Sequence, residues 1–190
     1  MNSIVNVAVF CGSASGNDPI YSEKAAELAH RLSAEGCNLV YGGGSRGIMG
    51  TFAKVMKADG SRVIGVSPRR FEKSNTAHPV ENDEYYVVDT MQERKAMMYD
   101  RSDAFIIFPG GTGTLDEMAE IITLKTLGFH GKPIVILNLD GFYDGLMMLL
   151  ERMEREGFWK DRGYFTVVST VDEVIGFLSS AVTFRGEYEA

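Results

Sequence analysis

The sequence predicts an α/β protein built on a parallel sheet that is covered by helices on both faces. Short apolar runs rich in β-branched residues alternate with stretches that have the period of amphipathic helices. The apolar runs show no alternation of polar and apolar residues, which is typical of strands buried on both faces. Glycine-rich turns follow several of these strands, as expected at the ligand-binding edge of such a sheet. A chain of 190 residues predicts one domain, spanning residues 1–190.

The first part of the chain contains three strands and two helices. The apolar run Ile4–Phe10 predicts a buried strand, and Pro19–Gly36 has the apolar period of a helix that ends at its glycine. Asn38–Gly44 predicts a second strand that runs into a glycine turn. Ile48–Gly60 is a second amphipathic helix, and Arg62–Pro68 is a third strand.

The second part of the chain begins with a different kind of segment. Residues Arg69 to Glu84 are polar, contain a proline and show no period, so we expect a mobile loop. After it the alternation resumes with "YYVVD", a helix from about Thr90 to Arg101, "DAFIIFPGG", a helix from about Thr114 to Leu127, "KPIVILN", the helical "YDGLMMLLERMEREG", "YFTVVS" and the closing helix "VDEVIGFLSSA".

Composition and charge exclude several classes of protein. A net charge of −7 argues against a broad nucleic-acid surface or an anionic membrane surface, because both need an excess of Lys and Arg. Cys11 and Cys37 lack the spacing of a zinc site or a disulfide framework, so we expect buried, small apolar residues and no metal. The N-terminal apolar run is too short for a signal peptide or a membrane span, which predicts a cytoplasmic protein.

The turn after the second strand contains a literal GxGxxG motif at Gly42, Gly44 and Gly47. A dinucleotide-binding fold places this motif after the first strand and an acidic residue at the end of the next one. Here the motif follows the second strand, and the third strand ends without an acid. An NAD-dependent oxidoreductase is therefore disfavoured, and the glycines are equally explained by tight turns and close helix packing.

The segment "FPGGTGTLDEM" is more specific. Gly110, Gly111 and Gly113 would let backbone N–H groups converge on an anion at a helix start, and Thr112 and Thr114 would add hydroxyl donors. No lysine follows the last glycine, so this is not a Walker A loop. The alternative is a helix N-cap by Thr112 or Thr114, with the following acids Asp116 and Glu117 in the first turn.

Two helices supply charged candidates. Glu117, Glu120 and Thr123 lie three residues apart and share one face close to the anion-binding end, so all three are candidates to contact a ligand. Arg94 and Lys95 stand near the start of the preceding helix, where cations oppose the helix dipole. Such a pair is either a solvated helix face or part of a site.

Five segments carry a resemblance to a known family: "FCGSASG", "VYGGGSRGIMG", "MQERKAMM", "SDAFIIFPGGTGTLDEM" and "LGFHGKPIVILNLDGFYDGL". From about Val5 to Phe177 the chain resembles the Lonely Guy (LOG) family of cytokinin riboside 5′-monophosphate phosphoribohydrolases. An Arg–Lys helix paired with PGGxGTxxE is far more specific than a lone glycine motif. Many family members were once described as lysine decarboxylases, but no pyridoxal-phosphate motif appears in this sequence.

The resemblance implies a Rossmann-like, doubly wound homodimer with its active site near the dimer interface and no cofactor. It implies hydrolysis of the N-glycosidic bond of purine nucleoside 5′-monophosphates, N6-modified in the cytokinin case, to the free base and ribose 5-phosphate. The family's essential arginine and glutamate fall on Arg94 and Glu117. Its substrate-contacting positions fall on Lys95, on Gly110 to Thr114 and on Thr123.

The chain departs from the family pattern at three places. Gln92 stands where histidine is usual, Thr112 stands where tyrosine or phenylalanine is common, and the region from Phe71 to Glu84 matches poorly. That region leads into the Arg–Lys helix, so the departures concern recognition of the base. The rival hypothesis is a carrier that binds a nucleotide or cofactor without hydrolysis and resembles molybdenum-cofactor carrier proteins. Such a carrier would need the glycine loops but not Arg94 together with Glu117.

Overall fold

Seven parallel strands form one sheet in the computed structural model, which describes residues 6–72, 82–160 and 163–185. The strand order is β4-β3-β2-β1-β5-β6-β7. The strands are β1 (Asn6–Phe10), β2 (Asn38–Tyr41), β3 (Val63–Pro68), β4 (Glu84–Val88), β5 (Ala104–Ile107), β6 (Ile134–Leu137) and β7 (Thr166–Val168). The predicted fold class, an α/β protein with a doubly wound parallel sheet, is confirmed.

Helices connect the strands and cover both faces of the sheet. They are α1 (Pro19–Ala34), α2 (Gly47–Ala58), α3 (Arg69–Glu72), α4 (Met91–Asp100), α5 (Thr112–Thr126), α6 (Asp144–Arg155) and α7 (Val171–Arg185), with a 3-10 turn at Leu139–Gly141. α5 begins at Thr112, two residues before the predicted start at Thr114. The glycine turn after β5 therefore leads directly into the helix, with Gly111 as its N-cap. Within the described ranges, no helix is long and apolar enough to span a membrane.

The segment predicted as a loop, Arg69 to Glu84, differs from that prediction at both of its ends. Arg69–Glu72 form the short helix α3, and Glu84 is the first residue of β4. β4 is a strand because its residues pair in parallel register with β3, from Ile64↔Glu84 onward. Residues 73–81 of the predicted loop lie outside the described residues.

Alternate residues of the central strands pack into two separate hydrophobic clusters. Val7 and Val9 of β1 face the cluster that contains buried residues of α1, α2 and α7. Ala8 and Phe10 face the cluster that contains buried residues of α4 and α5. Both faces of β1 are therefore covered, which explains why its sequence lacks polar alternation.

The chain changes direction between β1 and β5. From β1 it proceeds outward through β2, β3 and β4, and then returns to β5 on the other side of β1. Ligands of open α/β sheets bind at such a switch point, beyond the carboxyl ends of the strands. The turns after β1 and β5 are joined there by a hydrogen bond from Gly12 N to Pro109 O of 3.1 Å, and α2 is joined to the first turn by Met49 N to Gly12 O at 3.2 Å. The three glycine-rich segments meet at one edge, as predicted.

Candidate active site

A cavity of about 590 Å³ opens at this switch point. Its lining combines the three glycine turns with side chains from the surrounding helices. The lining residues are Val9, Cys11, Gly12, Ser13, Gly42, Gly43, Gly44, Arg46, Met49, Ser67, Phe71, Met91, Arg94, Gly111, Thr112, Gly113, Thr114 and Glu117. The volume is that of an ordinary small-molecule site.

Arg94 reaches the cavity from the first turns of α4. Thr90 caps this helix by accepting a hydrogen bond from Glu93 N at 3.1 Å, and the Glu93 carboxylate accepts one from Asp89 N at 2.9 Å. This reciprocal arrangement resembles a capping box and determines where the helix begins. Arg94 is only 8% exposed, and its Nε donates to Val66 O of β3 at 3.2 Å. The sequence context therefore places one arginine inside the protein, near the positive end of a helix.

Glu117 is the partner of Arg94. Nη1 of Arg94 donates to Oε1 of Glu117 at 2.5 Å, and Glu117 is only 6% exposed. Burial raises the pKa of the Glu117 carboxyl, and the Arg94 charge opposes this effect. A carboxylate with a raised pKa in a cavity is a common feature of active sites.

The Arg94 guanidinium lies directly against the turn after β2. A Cβ atom at Gly42 would lie 1.8 Å from Nη2 and 2.9 Å from Cζ of Arg94. No larger residue fits there while the arginine keeps this position. Gly47, in the same turn, has a φ of +58°, and a Cβ on it would meet the Ser13 backbone at 2.4 Å. The explanation by tight turns and close packing is confirmed for Gly42 and Gly47.

Lys95, the next residue of α4, is not among the residues that line the cavity. Its Nζ donates to Oδ1 of Asp116 at 2.9 Å and pairs with Glu120. Partial burial acts to lower the pKa of Lys95, but the hydrogen bonds to Glu120 and Asp116 outweigh it, and the pKa is raised. Asp116 is the fifth residue of α5, so its predicted place in the first turn is wrong.

The turn after β5 leaves the start of α5 open to the cavity. The N-cap of α5 is Gly111, without a side-chain hydrogen bond, so the alternative of a cap by Thr112 or Thr114 is wrong. A Cβ at Gly110 would lie 2.2 Å from Oγ1 of Thr114, which explains that glycine by packing. A Cβ at Gly111 or at Gly113 would meet no atom within 4 Å. These two glycines therefore keep space free at the helix N-terminus, where anions bind.

The structure separates the predicted site residues into two groups. Arg94, Glu117 and the segment Gly111 to Thr114 line the cavity together. Lys95, Gly110, Glu120 and Thr123 are not among its lining residues: the lysine and Glu120 pair with each other, and Thr123 is exposed on α5.

Other lining residues were missed at the sequence level. Arg46 stands in the glycine turn after β2, where the GxGxxG pattern indicates only dinucleotide binding or tight turns. Phe71 belongs to the predicted loop, and Met91 begins α4. Cys11 is buried as expected, and burial raises the pKa of its thiol, so it remains protonated near neutral pH. The cation at position 46 was the signal that could have drawn attention to this turn.

Comparison with known proteins links this chain to a family. The cytokinin riboside 5′-monophosphate phosphoribohydrolase LOG2 of Arabidopsis thaliana is 42% identical over 164 residues, covering 86% of this chain and 76% of that protein. The enzyme LOG of Oryza sativa subsp. japonica is 44% identical over 153 residues, covering 80% of this chain and 62% of that one. This chain belongs to the LOG family.

Membership of the LOG family confirms the expected enzyme class, an N-glycosyl hydrolase. A family model described as "Possible lysine decarboxylase" matches residues 49–178. Neither of the two LOG relatives is named as a decarboxylase.

The fold is also found in solved structures of more distant sequence. The molybdenum cofactor carrier protein of Chlamydomonas reinhardtii superposes with a TM-score of 0.72 at 22% identity, over 95% of this chain and 99% of that chain. This likeness concerns the fold alone, so it does not extend the carrier's role to this LOG-family chain.

Proposed function

We propose that this protein hydrolyses the N-glycosidic bond of purine nucleoside 5′-monophosphates, releasing the free base and ribose 5-phosphate. The observation that carries the proposal is the buried Arg94–Glu117 pair in a cavity that also contains the open N-terminus of α5. One end of this cavity suits a phosphate, and the pair suits a sugar that becomes positively charged. A nucleotide that loses its base presents both charges at once.

The 5′-phosphate is proposed to bind at the start of α5. The first N–H groups of a helix have no partner within the helix, and the helix dipole favours an anion there. Gly111, Thr112 and Gly113 are exposed and line the cavity, so their backbone N–H groups are accessible. The Thr112 hydroxyl adds a side-chain donor at the same place.

Glu117 is proposed to act on the ribose. As the bond from C1′ to the base nitrogen breaks, its electron pair leaves with the base and positive charge builds up on the sugar, as in glycoside hydrolysis. A buried carboxylate stabilises this charge strongly because water does not screen it. A water oxygen then bonds to C1′, and the water proton balances the charge of the departing base. The raised pKa of Glu117 also suits it to orient that water or accept its proton.

Arg94 is proposed to hold Glu117 in place. An arginine remains protonated at neutral pH, so proton donation is not its function. Its Nε is held by Val66 O and its Nη1 by Glu117, so the guanidinium fixes the carboxylate relative to the sheet. A charge-assisted hydrogen bond of this kind combines strength with a defined direction.

The base is proposed to lie on the side of the cavity formed by α2, α3 and α4. Met49, Phe71 and Met91 line this side, and the last two are partly exposed. Apolar side chains accommodate a purine ring and an N6-alkyl substituent without a charged partner. N6-modified adenine nucleotides, the substrate class in the names of the LOG relatives, are therefore the first compounds to test.

The proposed assembly is a homodimer, with the active site near the interface. No residue of α6 is buried in the single chain, although the helix is amphipathic. Leu146 and Met147 pack against the core, whereas Met148 is 70% exposed and Leu149 and Met153 are also exposed. An exposed apolar strip of this kind is typical of a protein interface. Light scattering on a Met148→Glu/Leu149→Glu variant should show a smaller particle than the wild type.

A substrate panel tests the activity directly. The purified protein is incubated with N6-isopentenyladenosine 5′-monophosphate, AMP and unphosphorylated N6-isopentenyladenosine, and the released base is measured by chromatography. We expect release from the monophosphates. No release from any purine monophosphate by the folded protein would refute the proposal, and an intact nucleotide or cofactor that co-purifies without turnover would favour the carrier hypothesis instead.

A further inference from the structure

The cationic side chains that line the cavity differ in whether they are already paired within the protein. A nucleoside monophosphate brings a phosphate with a charge of about −1.5 to −2 near neutral pH. Two of the cavity-lining side chains within the described residues are cationic, Arg46 and Arg94. The question is which of them is available to a phosphate.

Arg94 is already engaged by the protein. It is buried, its Nε donates to Val66 O, and its Nη1 pairs with Glu117. Turning the guanidinium toward a phosphate would leave the buried Glu117 without its partner, which is costly. Lys95 is also engaged, by Asp116 and Glu120, and does not line the cavity.

Arg46 is in the opposite situation. It is exposed, lines the cavity and forms no ion pair with any residue in the part of the chain that the structure describes. It is the N-cap residue of α2, with an extended backbone (φ −113°, ψ 164°), and its side chain makes no capping hydrogen bond. The guanidinium is thus not used for the helix itself.

The backbone that carries Arg46 is held firmly against the turn after β1. Ile48 N donates to Ala14 O at 3.4 Å, and Met49 N donates to Gly12 O at 3.2 Å. Gly47, the residue that follows Arg46, packs so tightly on Ser13 that no side chain fits on it. An arginine on an anchored backbone loses less freedom on binding than one on a loose loop.

We propose that Arg46 binds the 5′-phosphate of the substrate and makes the enzyme select phosphorylated over unphosphorylated nucleosides. The identity of this phosphate rests on the proposed function. The α5 N-terminus contributes only the partial charge of a helix dipole, about half an elementary charge. Arg46 adds a full charge and a planar fork of donors that matches phosphate oxygens. The two elements lie on either side of the turn after β1.

Binding and kinetics of two Arg46 variants test this proposal. Isothermal titration with ribose 5-phosphate measures binding of the phosphate without requiring turnover. We expect Arg46→Ala to weaken this binding by about 10- to 100-fold, as for the loss of a charged hydrogen bond. Arg46→Lys keeps the charge but loses the fork, so its binding should be intermediate. Arg31→Ala is the matched control, because Arg31 is an exposed arginine on α1 that pairs with Asp172 and does not line the cavity.

Kinetics then separate binding from chemistry. In Arg46→Ala, KM for the nucleoside monophosphate should rise with the loss of ribose 5-phosphate affinity, kcat should change much less, and the preference over the unphosphorylated riboside should shrink. Equal ribose 5-phosphate affinity in wild type and Arg46→Ala, or no measurable affinity in the wild type, would overturn the proposal. A wild type that binds ribose 5-phosphate through Arg46 but hydrolyses no monophosphate would refute the proposed function and the substrate selection, and would leave Arg46 as a phosphate-binding residue.

Discussion

Two neighbouring cations of α4, Arg94 and Lys95, form ion pairs with α5, and these pairs differ in almost everything except their position in the sequence. Arg94 pairs with Glu117 inside the cavity, where both side chains are buried. Lys95 pairs with Asp116, whose side chain is 54% exposed, on the outside of the same helix contact. A step of one residue turns a helix by about 100°, which separates the inner pair from the outer pair.

The difference shows which pair has a function beyond holding the helices together. A buried ion pair is expensive to desolvate and contributes little net stability compared with apolar residues of similar size. The inner pair also stands where a cation opposes the dipole of α4. The outer pair keeps contact with solvent and resembles the ordinary surface ion pairs of proteins. Substitutions at the two pairs, and in the glycine turn that touches Arg94, should therefore differ in their effects.

The largest effect is expected for Glu117→Gln. The amide still accepts a hydrogen bond from Arg94 but lacks the charge that stabilises the sugar cation, so kcat should fall by about 10³-fold or more. Ribose 5-phosphate binding, measured by titration, should be largely retained. Asp116→Asn makes the same chemical change in the outer pair and should leave kcat close to that of the wild type. Wild-type turnover in Glu117→Gln would contradict the proposed role of the carboxylate.

The next largest effect is expected for Gly42→Ala, which acts on the inner pair through Arg94. The new Cβ would lie 1.8 Å from Nη2 of Arg94, so the guanidinium must move and Glu117 loses its orientation. A displacement of about 1 Å in an active site can cost about 100-fold in rate. We expect kcat to fall by about 10- to 100-fold, with ribose 5-phosphate affinity largely retained.

Gly44→Ala is the comparison for this substitution. Its new Cβ would meet the Cε of Met49 at 3.1 Å, which is the mobile end of a flexible side chain. Its loss of kcat should therefore be clearly smaller. Equal losses in the two variants would show that any added side chain in this turn disturbs the site, and that the contact with Arg94 has no special importance.

A smaller effect should appear as a pH dependence of the inner pair. Burial raises the pKa of Glu117, so the acid limb of kcat/KM should be centred above the ordinary glutamate value of about 4.3. Activity should fall about tenfold per pH unit below that centre, because one proton inactivates the carboxylate. An acid limb centred at or below about 4.3 would show that the Arg94 charge outweighs burial.

The same raised pKa has a consequence for stability. A carboxyl group with a raised pKa in the folded state favours folding most when it is protonated. Its contribution is fully present below about pH 4.3 and is lost as the pH rises through the folded pKa. As the pH rises through this window, the wild type should therefore lose stability relative to Glu117→Gln. Urea unfolding measures this as a rise in the difference between the two free energies of unfolding, variant minus wild type.

The smallest effect is expected for Lys95→Met. The carboxylates that this lysine pairs with are partly exposed, so the free energy of unfolding should fall by no more than about 1 kcal/mol. kcat/KM should remain close to the wild-type value because Lys95 does not line the cavity. A loss of activity similar to that of Arg94→Met would instead place Lys95 in contact with the substrate, as the family resemblance implies.

Much of the fold was predictable because it depends on local patterns. Strands buried on both faces need continuous apolar runs, and β1 and β5 show them. The short helix α3 was missed because four polar and aromatic residues carry no helical period. The alternative of a threonine N-cap for α5 was wrong, since Gly111, a glycine with an extended backbone, is the N-cap. Arg46 was missed because an isolated arginine in a glycine turn does not reveal which way its side chain points.

The sequence by itself determined the order of strands and helices, the glycine turns at the strand ends, and the helix period that places Arg94 and Lys95 on different faces. These features follow from the properties of neighbouring residues along the chain. Only the tertiary structure decided that β1 lies between β2 and β5, that Gly42 lies against Arg94, and that Glu117 is the partner of that arginine. Such contacts join residues far apart in the chain and depend on how the helices pack on the sheet, which no local pattern encodes.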